Sequence, residues 1–223
     1  MCYTYKCLLT VMFAWSAHIS VNDTHRLFLY RRDTVAKYYR FFRDVCSWKL
    51  LQDRDHFRLS GPGHVVQVDE SVVTKRKYHK GKKVPERWVL GIFDTTLQRG
   101  IVRYIDRRNA ATLLPIIQEY VAAGTEVWTD EWRGYSALNS LGYRHKTVCH
   151  KRQFKAADGT CTNQVEGYWS LLKQYCRKTN VLRSKLLPEH IDEFMWRELF
   201  CRRATTGNTF RTILSHIKER YPC

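Results

Sequence analysis

Three acids in this 223-residue chain stand where they could act together. Asp69 follows the apolar run Val65-Val66-Gln67-Val68 and precedes Glu70, Asp130 closes "VWTD", and Glu166 lies in "NQVEGYWSLLKQY" (163–175). Carboxylates at neighbouring strand ends, with a third on a helix crossing the sheet, can converge on one point. Three such hard oxygen donors suit Mg²⁺ or Mn²⁺. With two ions about 3.5–4 Å apart, one activates an attacking oxygen and the other stabilises the leaving oxygen of a phosphodiester.

Each acid also has a simpler reading. Asp69 can cap a turn, and Asp130 can cap a helix beginning near Trp132. Glu166 can occupy the third position of a helix capped by Asn163 and reach back to that cap. Asp94 also ends a strand and Asp106 follows another, so geometry leaves both open, although Arg107 and Arg108 would neutralise Asp106 locally. It is the order strand, strand, helix that makes the first three a set.

The elements that would position them follow from pattern. "RLSGPGHVV" (58–66) is a breaker, after which "HVVQVDES" (64–71), "RWVLGIFD" (87–94) and "GIVRYID" (100–106) read as strands. "NAATLLPIIQEYVAAG" (109–124) reads as a glycine-terminated helix despite its proline. "TEVWTD" (125–130) is a fourth strand, "WRGYSALNSLG" (132–142) a short helix and "YRHKTVC" (143–149) a fifth strand; helices follow from about 162. This order predicts an α/β mixed five-stranded sheet flanked by helices. Ahead of it, three helical stretches fill about 4–52. The third is basic at its start, which fits a helix-turn-helix unit and equally a plain helical subdomain. The expected division is 1–57, helical, and 58–223, the sheet domain with a helical C-terminal extension.

Composition narrows the partners. Lys and Arg number 38 against 21 Asp and Glu, a formal net charge of +17, which points to a polyanion such as DNA. Eight cysteines show no C-x-x-C pair and read as reduced thiols of an intracellular protein. Cys149, His150 and Cys161 have a spacing that fits no standard zinc pattern. "CLLTVMFAWSA" (7–17) resembles a signal-peptide core, but it is too short to span a bilayer. The helical pattern after it predicts that Leu8, Phe13 and Trp15 are core residues, so neither secretion nor a membrane partner is expected.

"GPGHVVQVDES", "KRKYHKGK", "RWVLGIFD", "DRRNAATLLPII", "GTEVWTDEWRGY" and "TNQVEGYWSLLK" together resemble the Merlin superfamily of eukaryotic cut-and-paste transposases and its bacterial relatives, the ISXO-type insertion-sequence transposases. The likeness covers about 58–180 in the family's order. It implies a ribonuclease-H-like core with a DDE triad at Asp69, Asp130 and Glu166, the last two separated by 35 residues. It further implies metal-dependent DNA end cleavage and strand transfer with Mg²⁺ or Mn²⁺, two ions per site and no small-molecule cofactor. The partners implied are transposon terminal repeats and target DNA, the state a homo-oligomer and the location the nucleus.

Asn163 and His150 match family positions beside the site; His150 either orients the scissile phosphate or simply ends a strand. Lys75, Arg76, Lys77, Lys80, Lys82 and Lys83, after the first strand, would bind phosphates, and Lys173, two turns beyond Glu166, is another candidate. No serine or tyrosine is placed as a nucleophile. Family members commonly carry more protein before the core, whereas this chain begins at the helical unit. That departure keeps a second expectation in view, a catalytically silent, transposase-derived DNA-binding protein.

Overall fold

A computed structural model describes residues 5–53, 58–59, 61–74, 86–148, 161–181 and 184–222. The chain forms two compact units, Met1–Asp53 with Asp192–Cys223, and Arg54–Ile191. This differs from the expected division, because the last helices group with the N-terminal ones rather than extending the sheet domain.

The first unit holds α1 (Tyr5–Ser16), α2 (Val21–Phe28), α3 (Arg32–Gln52), the later part of α6 (Leu187–Phe200) and α7 (Thr206–Arg220). Val11, Trp15, Val35, Phe42, Val45, Trp196 and Ile213 form its core, with Leu8 packed against them. Phe13, expected there, is 50% exposed, one residue off the buried stripe of α1. No described helix is long and apolar enough to cross a membrane.

The second unit is built on β1 (Val65–Thr74), β2 (Arg87–Asp94), β3 (Arg99–Ile105), β4 (Glu126–Asp130) and β5 (Arg144–Val148), in the order β3-β2-β1-β4-β5. β1–β2 and β2–β3 are antiparallel; β1–β4 and β4–β5 are parallel. Helices α4 (Ala110–Tyr120) and α5 (Asn163–Lys178) complete the unit with the start of α6. This mixed α/β sheet is ribonuclease-H-like. The central strands carry continuous apolar runs, as strands covered on both faces must: Val66, Val68, Val89, Leu90 and Ile92 are buried.

Two expected helices are shorter. α4 stops at Tyr120, before Gly124, because Leu59 and Val121 form a parallel bridge that draws Val121 into extended backbone. Asn109 caps its start, its side chain accepting from Thr112 N. Between β4 and β5 only a 3₁₀ turn, Arg133–Tyr135, appears in place of the helix over 132–142.

Candidate active site

The register of β1 and β4 sets the first two acids side by side. Their parallel pairing runs through Val65–Glu126, Val66–Val127 and Gln67–Trp128, then stops. Asp69 and Asp130 each lie two residues beyond the last pair, where the strands part. The third acid arrives on α5, and its placement depends on β1. Gln67 Oε1 accepts from both Gln164 N and Val165 N at 3.0 Å. A strand side chain therefore takes up two amides that a helix start leaves unbonded. On the same side of the strand, Asp69 Oδ2 accepts from Trp169 Nε1 at 3.0 Å.

Two glycines make this approach possible. Gly91 is the cross-strand partner of Asp69, and a Cβ there would overlap the Trp169 ring. Gly100 stands likewise beneath Tyr168, whose hydroxyl donates to Gly100 O at 3.0 Å and whose ring lies 5.5 Å from that of Phe93. Val165, Trp169 and Leu172 are buried, as the apolar spacing of the helix predicts.

The helix begins one residue earlier than the capping pattern requires. Thr162 is the N-cap and Asn163 the first helical residue, exposed, so Asn163 does not cap it. Glu166 is then the fourth helical position, with its amide bonded to Thr162 O at 3.1 Å. The capping-box geometry, which needs the acid at the third position, is not formed. Glu166 is exposed, within the first turn, where the helix dipole favours an anion.

Half-buried Asp69 is raised above the usual carboxylate range, chiefly by burial. Asp130 and Glu166 raise it further, while Trp169 works against the shift. Both other acids of the set therefore bear electrostatically on Asp69. Asp130 does not cap a helix, since Trp132 stands at the cap of the 3₁₀ turn; its Oδ1 instead accepts from Trp132 N at 3.1 Å, two residues on. Asp94 belongs to the β2–β3 turn, fully buried, with Oδ1 accepting from Thr96 N and Leu97 N at 2.8 Å. Asp106 is exposed. Arg108, assigned to it by proximity in sequence, instead approaches Glu70 Oε2 at 3.4 Å and Asp130 Oδ2 at 3.7 Å.

Sequence reasoning missed Glu70 and its surroundings. Burial, the largest influence, raises Glu70, and Arg108 opposes it. Tyr135, also buried, faces Glu70; each carboxyl and phenol influences the other, although Glu70 Oε1 and Tyr135 Oη lack a partner at hydrogen-bonding geometry among the described residues. A second acid immediately after Asp69 was the available signal; Asp69 itself, expected at the end of the first strand, lies inside β1, which runs on to Thr74 against β2.

Asp69, Asp130 and Glu166 are hard oxygen donors of the type a divalent cation takes, and Arg108 Nη2 stands 3.7 Å from Asp130 Oδ2. As the side chains stand, no group of three or more His, Cys, Asp or Glu among the described residues could hold a metal ion. Lys173 is half-buried on α5. Lys75, Arg76, Lys77, Lys80, Lys82, Lys83 and His150 lie outside the described residues. So do Cys149 and His150 of the zinc alternative; the remaining member, Cys161, is a free thiol approached by Gln67 Nε2 at 3.8 Å.

Comparison with known proteins gives this arrangement a family. The ISXO2-like transposase domain matches residues 58–198, which contain all three acids. A transposase-like protein of Haemophilus influenzae is 31% identical over 89 residues, 40% of this chain and 72% of that protein. Among solved structures, the HTLV-2 integrase catalytic core domain in complex with magnesium is similar with 17% identity and a TM-score of 0.43, covering 68% of this chain and 96% of that one. The BIV integrase catalytic core domain is similar with 14% identity and a TM-score of 0.44, covering 71% and 98%. With more than half of its residues matched by this domain, the chain belongs to the ISXO2-like transposase family.

Proposed function

We propose that this chain is a DDE-type DNA transposase that cleaves transposon ends and transfers the freed strand to target DNA, with Asp69, Asp130 and Glu166 as catalytic carboxylates. The observation that carries the reading is the position of Asp69, raised by both other acids at the point where the parallel strands part. These three residues would hold Mg²⁺ or Mn²⁺, and two bound ions would activate the attacking oxygen and stabilise the leaving one. The chain's own part is placement. Trp169 orients Asp69, and Gln67 fixes the start of the helix that bears Glu166. Lys173 and the basic stretch from Lys75 to Lys83 would hold the DNA phosphates, and His150 and Asn163 would line the same site. Within the family, the quoted motifs favour the eukaryotic Merlin branch, hence nuclear action on terminal repeats by a homo-oligomer.

The test is Glu166→Gln. The amide is nearly isosteric but cannot supply an anionic ligand. Thermal stability and the band shift on terminal-repeat DNA should persist, while Mg²⁺-dependent nicking falls by about 10³-fold or more. Equal nicking by both proteins would remove Glu166 from the mechanism. No nicking by the unaltered protein on correct ends would favour the DNA-binding derivative.

A further inference from the structure

Arg108 lies between β3 and the cap of α4, and its guanidinium is flanked by two indoles. Its Cζ is 4.7 Å from the Trp132 ring centroid and 5.3 Å from that of Trp88. From this seat a single nitrogen, Nη2, addresses two carboxylates, Glu70 Oε2 at 3.4 Å and Asp130 Oδ2 at 3.7 Å. The two are not equivalent. The Glu70 side chain is 0% exposed and can serve as an anchor, whereas that of Asp130 is 30% exposed and within reach of solvent ions. Asp130 is also held through its other oxygen, which accepts from the backbone amide of Trp132, the residue whose ring lies beneath the guanidinium.

We propose that Arg108 is a positioning residue of the acidic site, a built-in cation that holds Asp130 and must yield it to an entering divalent ion while remaining on Glu70 between the indoles. The inference rests on the assignment of Asp69, Asp130 and Glu166 as metal ligands. Two positive charges compete for one carboxylate, so Arg108 lowers the affinity for the ion while keeping Asp130 in place for it. Arginine suits this role because its planar head can stack on an indole while a nitrogen bridges two carboxylates; an ammonium can bridge but has no plane to stack.

The experiment is titration of the full chain with Mn²⁺, followed by the electron paramagnetic resonance of the free ion and without DNA or turnover. Arg108→Lys keeps the net charge but loosens the bridge. It should bind Mn²⁺ about two- to fivefold more tightly, the scale of a partly exposed ion pair. The difference between Arg108→Lys and the unaltered protein should vanish when both carry Asp130→Asn. If Arg108→Lys melts too low to titrate, Arg108→Gln, still able to donate to Glu70, carries the same expected sign. Unchanged or weaker Mn²⁺ binding, or a gain that survives Asp130→Asn, overturns the inference. If Asp130→Asn alone leaves Mn²⁺ binding unaltered, the ligand assignment itself fails, and this inference falls with it.

Discussion

In the helical unit Glu193 is shut in, its side chain 5% exposed, with Arg197 Nε 2.9 Å from one oxygen and Arg43 Nη1 3.8 Å from the other. Arg197 in turn lies over the Trp15 ring at 4.1 Å and donates to Trp15 O at 2.8 Å. In the sheet unit Asp69 is held against a tryptophan too, but through a neutral indole donor, and two other acids bear on it. One carboxylate has its charge matched by guanidinium groups on both oxygens; the other faces more negative charge. Matched charge at burial fixes a structure. Mismatched charge opposes the fold that contains it, and persists where a ligand, here proposed to be a metal ion, supplies the missing cation.

The largest expected effect tests the matched side. Glu193→Gln leaves two buried guanidinium groups without their anion and should destabilise the chain by about 3–5 kcal/mol, read from urea unfolding. A loss below about 1 kcal/mol would mean that Glu193 is a peripheral pair despite its burial.

Next comes the packing that holds Asp69. Gly91→Ala drives a methyl into the Trp169 ring and should cost about 1–3 kcal/mol. It should also lower nicking, because the indole can no longer both fill its place and donate to Asp69. Full activity in this variant would show that the Trp169–Asp69 bond does not position the acid.

The smallest effect has the opposite sign. Asp69 is raised in the folded chain, chiefly by burial, so that state holds the proton more tightly than the unfolded state does. Stability from this group is therefore present below the ordinary aspartate value of about 3.9 and is lost as pH rises through the raised value. Asp69→Asn should accordingly raise the melting temperature at neutral pH, and the gain should disappear in acid, while nicking is abolished. A lower melting temperature at neutral pH would place Asp69 with Glu193 as a structural carboxylate.

Much of the sheet was legible because strands write their burial into local sequence. "RWVLGIFD" gives β2 over the same residues, and the other four strands fall within three residues of their expected ends. The sequence order of the acids also carried over. What escaped were contacts between distant parts of the chain. Gln67 looked like one more residue of an apolar strand, and nothing local shows that its amide meets α5 97 and 98 residues later. Arg108 was assigned to Asp106 by proximity in sequence, whereas burial of Glu70 supplied a costlier charge to satisfy. Gly91 did carry a signal, since a lone glycine inside a strand commonly marks a close approach.

The bond from Gln67 to the start of α5 anchors that helix independently of its tether. Because the first turn is fastened to β1, two residues before Asp69, the chain leading from β5 to α5 need not itself hold Glu166 in position. The number of residues between the second and third acids is thereby released from geometric control. A different number of residues there would leave the fastening of the α5 start to β1 unchanged.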